Sequence, residues 1–490
     1  MELHLQTTTS MKDAEARSLA WAEPRRIAVV IAYVGLGAAL LWSRLTDLGH
    51  SFWTDEIEMT VNFVRPGLRV IITGAGLTHQ LMAVLCWATA NTIGESEIAF
   101  RLFSAVPFVA GVMIVTAWLH VRLGALSGIL FLFLATVSPL LLDISRQARG
   151  YGLAFFAMSV VVVSALDALR TGSTWAVGTM WIGGLVGALT LPQVGIAVVA
   201  TAAVLVSDRR TRIPAAVGLA LIAIAAVAWY LPHQAGLHGI ARFPDGIQIG
   251  FPWVVTAPVD QILLPGLFWI DGTALLAGPV WLPVILLVAL VAAYSPLLRE
   301  WREGAVLLAG PVVTVIVLWL GGAYVIPRYL SYLLVPLFVL MATGAAAVLG
   351  GIGRRKDVLT PVICLVVIGI LAARFVILAP DVVGLPREAL RDTAQVIESG
   401  PPGTPVLAYM RHAQHNLGFY LDRPVEQLDA NDVAERVCGA PRPVYYVQQL
   451  NVIGPVEVPC LSRPGAHLTE LHQYARGGKI SVWLVPPSRS

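Results

Sequence analysis

The chain has 490 residues, 57% of them hydrophobic and 13% charged, with a formal net charge of +3 and a mean hydropathy of +0.74. That apolar content exceeds what a soluble core can hold, so the sequence specifies a polytopic α-helical membrane protein. The small net charge and the lack of a basic tract argue against a nucleic-acid partner.

In chain order, Met1–Arg26 is polar and mixed in charge, and no small-residue cleavage site follows the first apolar run. It reads as a cytoplasmic tail (1–26) and not as a signal peptide. About twenty apolar residues rising ~1.5 Å each cross a bilayer. On that length, spans are expected at roughly 27–46, 101–121, 124–141, 152–169, 175–191, 194–207, 213–231, 273–296, 304–323, 330–350 and 357–379. His79–Ile93 is ambiguous, being fifteen residues with His at one end and Asn91 near the other.

Loop charges resolve that ambiguity. If His79–Ile93 does not span, the inner loops carry twelve positive groups: Arg25, Arg26, Arg122, Arg170, Arg209, Arg210, Arg212, Arg299, Arg302, Arg354, Arg355 and Lys356. The short outer loops then carry three, Arg146, Arg149 and Arg328. If it does span, every later loop changes sides and the positive charge lies outside, against the positive-inside rule. His79–Ile93 is therefore expected to be an interfacial helix within one large outer loop, 47–100. The architecture that results is about 11 spans (27–380) with the N-terminus inside.

Beyond the first loop, Pro232–Gly272 is long and rich in Pro, Gly, His and Asp, a candidate lid. The tail 381–490 differs in character. Helical periodicity over Leu385–Ser399, short apolar strands at 405–409, 444–447 and 480–485, and a helical stretch at His412–Tyr420 indicate a small outer α/β domain. Cys86 and Cys364 lie in apolar segments as packing residues. Cys438 and Cys460 lie in the tail and could bridge in an oxidising compartment.

The chemistry concentrates on the outer face. Phe52-Trp53-Thr54-Asp55-Glu56 places two aromatics and two acids at the mouth of the first span, where carboxylates are costly unless they serve a site or a wet cavity. The outer arginines break the charge rule. Arg146 and Arg149 lie in Asp143-Ile-Ser-Arg146-Gln147-Ala-Arg149-Gly-Tyr151, and Arg328 in Pro327-Arg328-Tyr329. Singly, such arginines snorkel to headgroups; together, facing two acids, they form an anion site, since a guanidinium fork matches phosphate oxygens. Tyr151 and Tyr329 could complete the cradle. A sugar on a polyprenyl phosphate fits these groups: the phosphate leaves without a general acid, and one carboxylate suffices as base.

These segments carry a resemblance. Trp53-Thr-Asp55-Glu56 resembles the Asp-Glu signature of the membrane-embedded GT-C glycosyltransferases, closest to the branch of protein O-mannosyltransferases and lipid A aminoarabinose transferases. Thr78-His79-Gln80-Leu81 is similar to their His-Pro-Pro-Leu or Asn-His-x-Leu segment, without the prolines. Phe100-Arg101-Leu102-Phe103-Ser104, Ser138-Pro139 through Arg146-Gln147-Ala148-Arg149-Gly150-Tyr151, and Pro327-Arg328-Tyr329-Leu330 resemble three further family segments in the same order. The resemblance covers about residues 27–350.

It implies an inverting transfer from a polyprenyl-phosphate sugar to a glycan, glycolipid or protein acceptor at the outer face of the cell membrane. Asp55 would be the base, Glu56 an orienting or acceptor-binding group, and Arg149 and Arg328 the donor-phosphate ligands, with Tyr151 and Tyr329 beside them. His79, Gln147 and Trp53 would line the cavity, and Asp143 would either pair with Arg146 or face the acceptor. A divalent cation occurs in some members of the fold. Asp55, Glu56, Glu58 and His79 could supply ligands, but metal spacing is not evident, so no cofactor is assigned. The competing reading, a transporter or flippase of a lipid-linked or anionic solute, calls for midplane polar residues and internal repeats. Neither stands out in the sequence.

Overall fold

A computed structural model describes residues 26–74, 79–230, 289, 291–320, 327–351, 359–410, 412–449, 456–474 and 479–488. The expected lid 232–272, most of the expected span 273–296, and the N-terminal tail apart from Arg26 lie outside these residues.

Among the described residues, seven helices are long and apolar enough to cross a membrane. They are α1 (Arg26–Leu45), α5 (Glu97–Leu123), α8 (Tyr151–Thr171), α11 (Arg212–Tyr230), α12 (Trp301–Leu320), α13 (Leu334–Gly350, entered by a 3-10 turn from Pro327) and α14 (Leu359–Gly384). Three shorter apolar helices, α6 (Ala125–Val137), α9 (Thr174–Thr190) and α10 (Pro192–Ser207), occupy three further expected positions. The chain is thus an integral membrane protein of the expected helical class.

The first loop folds as α2 (Thr54–Met59), a π-turn, α3 (Leu68–Thr73) and α4 (Gln80–Thr92). The thirteen residues of α4 give only about 20 Å of helix.

Helix α8 is the centre of the bundle: 78% of its apolar window is buried, against 11% in α1 and 17% in α14, whose apolar faces are left for lipid. Gly152 lets α5 reach the start of α8, since a Cβ there would lie 2.2 Å from the Ser104 carbonyl oxygen. Small residues at a contact admit close helix approach in membranes, and this one fixes the position of Tyr151.

The 124–141 segment is not one helix. Ser138 ends α6, and its side chain caps α7 (Pro139–Ile144), accepting from the Leu141 N–H at 3.3 Å. Pro139 has no N–H to give the Ala135 carbonyl, which would otherwise be orphaned in an apolar setting. The buried Arg44 guanidinium of α1 supplies the bond instead, donating to Ala135 O at 3.0 Å and Thr136 O at 2.9 Å.

At one end of the bundle, arginines pair with acids across helices: Arg122 with Asp167, Arg170 with Glu303, and Arg210 and Arg302 with Asp208. The first loop and the tail occupy the other end.

The tail forms a five-stranded sheet in the order β2-β1-β3-β5-β4, with β1 (Val406–Tyr409), β2 (Val425–Gln427), β3 (Val444–Gln449), β4 (His467–His472) and β5 (Lys479–Val485). β1 runs parallel to β2 and β3, reached through helical crossovers, and β3–β5 and β5–β4 are antiparallel. Helix α15 (Leu390–Glu398) precedes the sheet, and α16 (Ala413–Asn416) stands within the expected 412–420 helix. Cys438 and Cys460 are disulfide-bonded. This layer shares a core with the first loop: Phe52, Ile57, Met82 and Phe100 pack in one buried cluster with Leu390, Val406, Tyr445 and Ile480.

Candidate active site

The site is built where α2 begins. Trp53 is extended (φ −94°, ψ 170°), and Glu56, three residues on, folds back so that its Oε2 accepts the Trp53 N–H at 3.2 Å. An acid at this position satisfies a donor that a helix start leaves open. Asp55 and Glu56 then point to different sides, about 100° apart around the helix.

Asp55 faces a cluster of cations. Arg328 Nη2 lies 2.9 Å from its Oδ2, and Arg149 Nη2 lies 3.7 Å from the same oxygen while Nη1 donates to the Asp55 carbonyl at 3.0 Å. The Asp55 side chain stays 19% exposed, so the pair of guanidiniums and the acid form a reachable, mostly desolvated group. Burial works against charge on Arg149, but Asp55, helped by Tyr151, more than restores it, and the guanidinium stays above its ordinary value. The Tyr151 and Tyr329 rings stack at 6.3 Å beside the arginines.

His79 meets Tyr151 edge-on at 4.8 Å and is fully buried. Burial, then Arg149 and Arg328, hold its imidazole well below the usual histidine range, so it is neutral. Gly150 makes room for it: a Cβ there would lie 3.2 Å from His79 Nδ1 and 2.4 Å from Thr190 Cγ2.

Glu56 is placed differently from the acceptor-binding alternative. It is fully buried. Oε1 accepts from Arg101 Nε at 3.1 Å and from the Ala148 N–H, and Oε2 accepts from Arg101 Nη2 at 2.6 Å and from Trp53. Arg101 also donates to the carbonyls of Leu48, His50 and Ser51. This is a strut joining the first loop, α5 and the 145–150 turn, with no oxygen left for an acceptor.

Arg146 likewise departs from the three-arginine anion site. Its guanidinium donates to the carbonyls of Ser43, Thr46, Asp47 and Val383, and burial holds its pKa down to about 10. Asp143 takes neither of its expected positions: it pairs with Arg387, accepts from Tyr474 OH at 2.6 Å and from Gln147 Nε2 at 3.1 Å. Burial and Asp143 push the Tyr474 phenol well above its ordinary range.

Trp53 is buried, with Arg387 4.3 Å from its ring centre and Arg328 5.2 Å away. Arg387 was not foreseen; a lone Arg-Glu pair after Pro386 carries no signal by itself. Arg101 stood in plain view as a charge at the start of an apolar run, but only as part of a motif.

The donor set does not suit a cation. Among the described residues, no three His, Cys, Asp or Glu side chains converge. Glu56 is spent on Arg101, and Asp55 and His79 sit against two guanidiniums that would repel a metal ion.

No protein-family model matches this sequence, and no curated protein matches it. Among solved structures, ArnT from Cupriavidus metallidurans bound to undecaprenyl phosphate superposes with a TM-score of 0.52 over 93% of this chain and 97% of its own, at 14% identity. Its apo state also gives 0.52, over 94% and 98%, at 13% identity. The fold is GT-C. In this chain the first-loop acid Asp55, the turn before α8 with Arg149, and the 3-10 entry to α13 with Arg328 converge from segments as much as 273 residues apart.

Proposed function

We propose that this protein is an inverting glycosyltransferase that moves a sugar from a polyprenyl-phosphate donor to an acceptor hydroxyl at the outer face of the membrane. The observation that carries the reading is a reachable carboxylate, Asp55, held between two desolvated guanidiniums at the mouth of the bundle. ArnT, which shares the fold, binds undecaprenyl phosphate, and that supports a lipid-linked donor here. The Cys438–Cys460 disulfide supports an oxidising compartment for the tail.

The steps follow from the groups. Arg149 and Arg328 neutralise the donor phosphate and stabilise the charge it gains as the anomeric C–O bond breaks. The acceptor oxygen attacks the opposite face of the anomeric carbon, and its proton passes to Asp55. The departing polyprenyl phosphate needs no proton. A phosphate entering between the two guanidiniums competes for the N–H donors that now face Asp55, and so frees the carboxylate oxygens for the acceptor hydroxyl.

The charged site sits at one end of the bundle and not at mid-membrane, which favours this reading over transport. Asp55→Asn should abolish transfer from whichever polyprenyl-phosphate sugar the wild type turns over, drawn from mannose, arabinofuranose, galactose and aminoarabinose donors. Undecaprenyl phosphate binding and thermal stability should persist. Normal turnover by that variant removes Asp55 from the mechanism.

A further inference from the structure

The residues immediately before Asp55 are held by the tail. Glu388 is fully buried, and its Oε2 accepts from Thr54 Oγ1 at 2.9 Å and from the Thr54 N–H at 3.3 Å. The Glu388 carbonyl accepts from Ser51 Oγ at 2.5 Å. Thr54 Oγ1 in turn accepts from Asn416 Nδ2 at 2.9 Å, and Tyr420 OH accepts the Phe52 N–H at 2.6 Å. Arg387, next to Glu388, covers Trp53 and is itself paired with Asp143. Each of residues 51 to 54 thus has a partner in the tail. A buried carboxylate that accepts two donors from one residue is a stiff hold, because letting go strands a charge without solvent.

On the other side, Arg328 lies both against Trp53 and on Asp55. The order across the site is therefore tail, Trp53-Thr54, Asp55, donor-phosphate arginines. Asp55 receives its direction from a helix whose first turn is pinned by residues more than 300 positions later.

We infer that Glu388 is a positioning residue for Asp55: through Thr54 it fixes the start of α2, so that the tail sets the aim of the base. This rests on the transferase reading above. A displacement of about 1 Å at a reacting group is enough to cost on the order of 100-fold in rate.

The test uses the full-length protein in detergent with Glu388→Ala, Glu388→Gln and Thr54→Val. Glu388→Ala and Thr54→Val should lower kcat by roughly 10- to 100-fold while KM for the sugar donor and binding of undecaprenyl phosphate alone stay at wild-type values. Glu388→Gln, which keeps an acceptor for Thr54, should recover much of kcat. Amide exchange over 52–59, followed by mass spectrometry, should quicken in Glu388→Ala and in Thr54→Val and return toward wild type in Glu388→Gln.

Should Glu388→Ala fail to fold, Thr54→Val alone decides, since it removes one hydroxyl at constant volume. A merely structural role would lower the yield or melting temperature with kcat per folded molecule unchanged, and that result overturns the inference. So does wild-type kcat in Thr54→Val. If Asp55→Asn still transfers sugar, the transferase reading itself fails; if Asp55→Asn is dead and the Glu388 and Thr54 variants are not, only the positioning role falls.

Discussion

Asp55 and Glu56 are neighbours in sequence with opposite assignments, and Glu56→Gln tests the contrast. Each Glu56 oxygen accepts from two donors: Arg101 Nε and Ala148 N–H on one, Arg101 Nη2 and Trp53 N–H on the other. Glutamine replaces one oxygen with an NH2 group, so whichever way it flips, two buried donors face another donor. At about 1–3 kcal/mol per stranded group, with the partner charge of Arg101 left uncompensated, the loss is about 3–5 kcal/mol. With roughly 2.1 cal/mol/K of unfolding entropy per residue, a chain of 490 residues shifts by about 1 °C per kcal/mol, so a fall of about 3–5 °C is expected. The assay is thermal aggregation of detergent-solubilised protein read by size exclusion, with kcat measured per folded molecule at a temperature where the variant is intact. Because Glu56 also caps the start of α2, kcat at that temperature should fall no further than in the Thr54 and Glu388 variants and should not be abolished. A variant that melts with the wild type but transfers no sugar would refute the strut and restore Glu56 to the reaction.

Arg149→Ala and Arg328→Ala should each weaken undecaprenyl phosphate binding by about 1.5–3 kcal/mol, roughly 10- to 150-fold, leaving acceptor KM in place; equal losses for donor and acceptor would point to a structural role. His79 supplies a pH signature. Its unfolded pKa is about 6.5 and its folded value lies well below, so between the two the unfolded chain binds a proton that the folded one does not. Stability should therefore fall as pH drops through about 6.5 and go on falling toward the folded value, and His79→Phe should flatten that slope in melting curves taken from pH 7.5 to 5. A cysteine placed at His412, which is exposed, should react with an impermeant thiol reagent from outside intact cells, and one at Arg209 should not; the reverse labelling would invert the orientation.

The spans were legible because apolar length is a local property, and the fifteen-residue stretch at His79–Ile93 folds as the thirteen-residue α4, shorter than the seven long apolar helices. The cluster of Asp55, Arg149, Arg328, Tyr151 and His79 was legible because each lies in a short motif. What escaped was which way a side chain turns. Asp55 and Glu56 differ by one step around α2, and that step leaves one partly exposed against two arginines and takes the other into the core; nothing in the two letters says which. Arg146 and Arg149 repeat the case, one consumed by four carbonyls and one turned to Asp55. Arg387 and Glu388 were invisible because their partners, Asp143 and Thr54, lie 244 and 334 residues away. In the tail, β1, β3 and β5 announced themselves by apolar runs. β4 is an exposed edge strand reading His-Leu-Thr-Glu-Leu-His and β2 has three residues, so neither shows a buried period.

Arg44 bears on how the chain is assembled. Its carbonyl partners are 91 and 92 residues downstream, so when its own helix enters the bilayer the guanidinium has the neighbouring Ser43 hydroxyl but not yet the two carbonyls. Near the helix end it can reach the headgroups in the meantime. The seat of α1 against the Ser138-Pro139 break can therefore close only after that break has been synthesised, so the docking of α1 is separated from its own synthesis by about ninety residues of chain.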